Sequence, residues 1–421
     1  MTTNITLAPN VTLRAIQTDK FKTACFSVNL IRPHTRESAA ADALLMSVLL
    51  RATEKYPDIL SISEHMDTLY GASFGTLVRR KGEIKLIGFY ADFIEDDFIP
   101  EDMQLLPAMV DFLEETLYHP LTENGVFTAR AVEGEKQNLI NAIESNLNDK
   151  RTYAVTRLLQ TMCAEEAYGV PRLGMVEDVA RITPESLWAH YREVLRTSGI
   201  EIYYSGRKTP EQAAAEFARV LAPHAPEYAV PAATQIIREA GEVRELREKM
   251  DVTQGKLVLG LRTGITKTDE DFPALQLLNA VYGAGVTSKL FVNVREKRSL
   301  CYYASSSIDK YKGVMLVSSG ISSENYEVAK TAILQELEDC KNGLISDEEL
   351  ESARRQVLSA LRAAMDMPTR LDDFYCGMAV SGGDDLPVLM QKITKVTREE
   401  VSRAARKLTL DTIYFLEGTE Q

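Results

Sequence analysis

Two hydrophobic rhythms recur along the chain. Thr23–Ile31 and Lys256–Leu261 place apolar side chains at the short period of strands half or wholly buried in a sheet. Ala43–Leu50 and Ala274–Val281 are apolar almost all round, as expected of helices enclosed by a core. Each such helix is followed by a second β-type run, Lys85–Tyr90 in the first case and Val314–Ser318 in the second, after a Lys-Gly turn. Amphipathic helical stretches come next, and each series closes on a strand ending in glycine, Ile202–Gly206 and Ile413–Gly418. Strands grouped around a hairpin with helices gathered afterwards predict an α+β class. Each half is expected to be an antiparallel-rich mixed sheet covered by helices on one face.

The two series are a repeat. Ala43 and Ala274 open the core helices, Leu69 and Leu300 open the segments after them, and Gly82 and Gly313 mark the turns. All three pairs are 231 residues apart. Later the register drifts: Ala129 and Ala353 are 224 apart, and Ile182 and Val396, each heading an amphipathic helix, are 214 apart. Between the series, Leu221–Pro231 carries three prolines and no helical period, the composition of a connector. The expected division is two homologous domains, 1–222 and 236–421, joined by a linker at 223–235. A fixed offset over much of the chain is the mark of duplication.

Composition narrows the function classes. The 421 residues are 45% hydrophobic and 26% charged, which excludes disorder, and no run of 18 apolar residues suggests a membrane span. The first residues, MTTNITLAPN, lack a basic region followed by an apolar one, so no secretory leader is read there. Lys+Arg 48 against Asp+Glu 61 gives a net charge of −13, which argues against a nucleic-acid partner. Five widely spaced cysteines, Cys25, Cys163, Cys301, Cys340 and Cys376, and five scattered histidines form no local metal clasp; a cytoplasmic location is expected.

Three segments carry more specific information: Arg51–Pro57, Tyr282–Phe291 and Val294–Tyr302. With the duplication, they resemble the pitrilysin/insulinase-like metallopeptidases, a family that includes the mitochondrial processing peptidases. The resemblance spans nearly the whole chain. It implies a zinc site built from an HxxEH helix and a glutamate further on, with the helical spacing putting both histidines on one face. In this register the HxxEH positions are Ala43, Leu44, Leu45, Met46 and Ser47, and the position seven residues after Glu135 is Ala142. Ala43, Met46, Ser47 and Ala142 supply no zinc-binding set. No cofactor is therefore expected on this chain. Glu64-His65 supplies too few ligands for a site and reads as an exposed helix face, and Glu133 and Glu135 read as surface charges beside Lys136.

The resemblance also implies a second functional element. An arginine and a tyrosine seven residues apart in the carboxy-terminal half hold the substrate backbone, and Arg295 and Tyr302 keep that spacing. Both side chains donate hydrogen bonds suited to a peptide carbonyl or a developing oxyanion. The alternative is structural, with Arg295 paired to a surface acid and Tyr302 packed at a sheet edge. Asn148–Ala154 and Met162–Tyr168 resemble bacterial zinc-less members found beside zinc-bearing homologues. The expected role is the non-catalytic, substrate-binding subunit of a heterodimeric zinc endopeptidase, with peptide as substrate and zinc in the partner. The alternative is a peptide-binding or scaffold homodimer without proteolytic role.

Overall fold

A computed structural model describes residues 2–100 and 102–418. Its chain separates into two compact units. The first comprises the residues up to Glu144, Val170–Ala233 and Met367–Val380; the second comprises Ser145–Gly169, Thr234–Asp366 and the residues from Ser381 on.

The first unit is built on one sheet of six strands: β1 (Thr2–Ala8), β2 (Val11–Gln17), β3 (Thr23–Pro33), β4 (Ser73–Lys81), β5 (Ile84–Ile94) and β8 (Gly199–Gly206). A two-rung ladder of β6 (Thr122–Glu123) and β7 (Val126–Phe127) stands apart, closed by an Asn124-Gly125 turn with both residues at positive φ. The sheet order is β1-β2-β8-β3-β5-β4, with only β2 and β8 parallel. Along β3, Ala24, Phe26, Val28 and Leu30 face the main core, while Ser27 and Asn29 face the other way yet are fully buried. The helix Arg36–Leu49, capped by Thr35, lies in that core with Ala43, Leu44, Leu45 and Met46 at 3% exposure or less. Asp42, buried on the same helix, meets Arg32 at 3.2 Å, His190 at 2.8 Å and Lys85 at 3.7 Å, so its charge is compensated inside the unit.

The second unit repeats the plan with five strands: β9 (Arg244–Met250), β10 (Gly255–Arg262), β11 (Tyr303–Asp309), β12 (Val314–Ile321) and β13 (Thr409–Gly418). Their order is β11-β12-β10-β13-β9, and only β13 and β9 are parallel. The core helix is Phe272–Tyr282, and helices Tyr326–Lys341, Asp347–Ala364, Leu386–Lys395 and Arg398–Arg406 complete the layer. Each half is thus an antiparallel-rich mixed sheet with its main helical layer on one face. Helix Pro368–Ser381 lies on the opposite face of the first sheet, and helix Lys150–Met162 on the opposite face of the second. The expected helix starts are visible as capping boxes: Thr183 with Ser186 opens Pro184–Thr197, and Thr397 with Glu400 opens Arg398–Arg406.

The unit boundaries differ in two places from the division expected at 1–222, 223–235 and 236–421. Residues 145–169 fold with the second unit and 367–380 with the first. The reason is packing: helix Lys150–Met162 presents Ala154, Leu158 and Met162 as one stripe, and that stripe is buried against Val258, Val314, Tyr414 and Leu416 of the second sheet. Helix Pro368–Ser381 is the corresponding exchange in the other direction. No helix among the described residues is long and apolar enough to cross a membrane.

Candidate functional site

The segment that leads to Arg295 begins at a close backbone approach. A Cβ at Gly283 would lie 2.5 Å from the Ser306 hydroxyl, so only glycine lets the loop after the core helix run this near to β11. Ser306 N–H in turn donates to Gly283 O at 3.1 Å. The chain then winds as a π-helix, Leu290–Lys297, a rare wide turn that often marks functional sites. Leu290 and Val294 anchor it in the core, Asn293 donates to buried Glu336 at 2.8 Å, and Lys289 pairs with Glu349 at 3.0 Å. Ser299 follows at φ 51°, in the left-handed region that is uncommon for a non-glycine residue.

This path brings Arg295 and Tyr302 together. Arg295 Nε donates to the Tyr302 backbone carbonyl at 2.9 Å, and Tyr302 N–H donates to Gly320 O at 2.9 Å. The guanidinium stacks 4.6 Å from the Phe291 ring centroid and pairs with Glu296 at 3.2 Å. Tyr302 is not packed at the sheet edge: it is 67% exposed. The two residues border a depression of about 430 Å³ that Ser299, Cys301, Ser322 and Asn325 also line. Burial pushes the Cys301 thiol up, so it is a poor nucleophile here. What the arrangement offers is a set of donors: a half-exposed cation, a free-standing phenol and small hydroxyls. Such a set suits peptide carbonyls or a carboxylate. Phe291, Glu296, Ser322 and Asn325 were not foreseen. Phe291 and Glu296 fall inside the segments noted in the sequence, whereas Ser322 and Asn325 are brought in by β12 and had no local signal.

The degenerate metal positions lie in the first unit and present no ligands. Ala43 and Met46 face the core at 3% and 0% exposure, Ser47 is half-buried, and Ala142 is exposed on helix Ala129–Asn148. Among the described residues, no three His, Cys, Asp or Glu side chains are grouped to hold a metal ion. The donor chemistry at these positions does not fit zinc. Glu135, expected as a surface charge, is instead held at 2.8 Å by Arg51, its side chain only 12% exposed, so an ion pair ties the residue after the degenerate helix to helix Ala129–Asn148. Glu133 is a surface partner of Lys136 at 3.1 Å. Glu64 is exposed, while His65 stacks on Tyr56 at 4.7 Å, which accounts for it as packing. Trp188 packs against Phe127 and Tyr191, and Tyr203 and Tyr204 are buried.

Comparison with known proteins places the chain in a family. Residues 181–357 match the model of the peptidase M16 inactive domain. Over 412 residues the chain is 32% identical to the probable inactive metalloprotease YmfF of Bacillus subtilis, covering 97% of this chain and 96% of that protein. The chain belongs to peptidase family M16. A conserved protein of Enterococcus faecalis, 31% identical, superimposes with a TM-score of 0.93 over 100% of this chain and 99% of its own. An uncharacterized zinc protease of Streptomyces coelicolor is 25% identical over 330 residues, 76% of this chain and 68% of that protein. Within M16, the chain goes with the inactive branch, in keeping with the side chains at its metal positions.

Proposed function

We propose that this chain is the non-catalytic, substrate-binding subunit of a two-chain zinc endopeptidase, paired with an M16 homologue that retains HxxEH. The observation that carries the reading is the contrast between its two halves. The metal positions hold Ala43, Met46, Ser47 and Ala142, whereas Arg295 and Tyr302 remain together beside an open depression. In this role the guanidinium and phenol donate to the carbonyl oxygens of an extended peptide. Where charge builds on such an oxygen, a preoriented donor contributes more than it does to ground-state binding. The metal-activated water is the partner's contribution, and no step of it is assigned to this chain.

The test is reconstitution. The chain is mixed with the HxxEH-bearing homologue from the same genome, and cleavage of a quenched-peptide library is followed. The expected result is that the pair cleaves peptides the homologue alone does not. Arg295→Ala in the pair should lower kcat/KM by about 10²–10³, the usual cost of one oxyanion donor. If the mixture is no faster than the homologue alone and the chain self-associates instead, the scaffold homodimer replaces this reading.

A further inference from the structure

The contacts already made by Arg295 decide what else it can bind. A guanidinium recognises a carboxylate through two parallel N–H groups, using either its Nε–Nη2 side or its Nη1–Nη2 end. Both forks are engaged here. Nε donates to the Tyr302 carbonyl at 2.9 Å, and Nη1 lies 3.2 Å from the Glu296 carboxylate. Stacking on Phe291, 4.6 Å from the ring centroid, holds the plane of the group, so rotation does not free a fork. What remains is single donors, which suit an acceptor taking one bond, such as a peptide carbonyl.

The charges around the depression point the same way. Arg295 and Glu296 are its charged lining residues, and they cancel. Neighbouring cations are engaged elsewhere: Lys297 donates to Asn293 at 3.1 Å, Lys289 pairs with Glu349 at 3.0 Å, and Arg298 lies 4.0 Å from Glu336. Glu324, exposed in the turn that joins Ser322 to Asn325, adds a further negative charge. A carboxylate entering beside Arg295 meets the Glu296 carboxylate, whose side chain is 55% exposed, and like charges at such range repel. Resting on the substrate-binding role set out above, we propose that Glu296 is a specificity determinant of this depression. It lets the uncharged backbone of a peptide in and rejects acidic side chains and free C-terminal carboxylates.

The full chain is titrated by calorimetry with acetylated hexapeptide amides of alanine and glutamine, either neutral or with one glutamine exchanged for glutamate at each position in turn. The expected result is binding of the neutral peptide and a loss of about tenfold or more for glutamate at one position at least. Added salt should narrow that gap, as it would not if Glu296 only braced the loop. Glu296→Gln keeps an acceptor for Nη1 but removes the charge, and should bring the ratio of neutral to acidic affinity down to about threefold or less. Glu296→Ala also frees the Nη1–Nη2 end and should lower the ratio further. Equal binding of neutral and acidic peptides by the parent, or a gap that both variants leave intact, overturns the proposal while the substrate-binding role stands. If neither the chain nor its mixture with the zinc-stripped homologue binds any peptide, the role itself fails and the proposal with it.

Discussion

Arg295 reaches Tyr302 through the backbone: its Nε donates to the Tyr302 carbonyl at 2.9 Å, and among the described residues the exposed phenol has no hydrogen-bond partner. The arginine therefore has two separable duties, fixing the loop and presenting its remaining donors, whereas the 67%-exposed tyrosine ring has only the second. Tyr302→Phe should leave stability within about 0.5 kcal/mol, as for surface substitutions generally, and still reduce peptide cleavage by the reconstituted pair. Arg295→Ala should also loosen the loop by about 1 kcal/mol, one hydrogen bond's net worth. Urea denaturation alongside the cleavage assay separates the two. A Tyr302→Phe chain that unfolds early would mean the ring is structural.

Met46 stands where the family resemblance puts a catalytic glutamate, and it has 0% exposure. The helix is enclosed by core at this position, so a charged side chain at residue 46 has no solvent to meet. Met46→Glu should destabilise by at least about 3 kcal/mol, because an unpaired carboxylate is forced into an apolar site. Ser47→His, at a half-buried position, should cost much less. Thermal denaturation of the two variants checks the ordering, and comparable costs would show that residue 46 is not held in the core.

Glu201 on β8 is buried, and burial pushes its carboxyl up to about 7 against the opposing pull of Arg14 at 3.3 Å. The folded state therefore holds a proton over a range where the unfolded chain, with its ordinary value of 4.5, has released it. Stability from this group is greatest below the unfolded value and declines as pH rises through 4.5 to 7. Glu201→Gln keeps an acceptor for Arg14 but cannot ionise. It should match the parent near pH 4.5 and exceed it above pH 7. Denaturant midpoints at the two ends of that window decide it, and parallel curves would refute the raised value.

Much of this was legible in the sequence because local chemistry decided it. Thr183 and Thr397 announce their helices by capping, and Lys81-Gly82 and Lys312-Gly313 announce their turns; Gly82 and Gly313 sit at φ 63° and 69°. The exchange of helices was not legible. The stripe Ala154, Leu158, Met162 declares that a face is buried, but no local pattern says on which of two similar sheets. The same holds for Arg51 with Glu135 and for Ser322 and Asn325 beside Arg295, residues joined only by tertiary folding. The Arg295–Tyr302 spacing was readable, yet the carbonyl contact depends on the π-helical winding of Leu290–Lys297, which has no simple sequence rule.

Arg262 supplies the most severe stability test. Its side chain, 2% exposed, bonds Glu166 at 2.7 and 3.1 Å and Asp411 at 2.8 Å, and Lys312 adds a 2.6 Å contact to Glu166. Burial alone would raise both carboxyls, but hydrogen bonds from Arg262, helped by Lys312 at Glu166 and by Thr412 and Arg244 at Asp411, more than offset it and hold them below their ordinary values. Their contribution is accordingly present above the ordinary carboxylate range and lost as pH falls below it. Arg262→Leu removes the shared cation and leaves Asp411 with the half-exposed Arg244 and the Thr412 hydroxyl. The expected cost is about 3–5 kcal/mol at neutral pH, the range for breaking a buried pair on one side. The variant should also lose less stability on acidification than the parent, since its carboxyls are less depressed without the Arg262 hydrogen bonds. A neutral-pH loss below about 1 kcal/mol, too small for a buried pair broken on one side, would mean that water reaches the cluster and screens it.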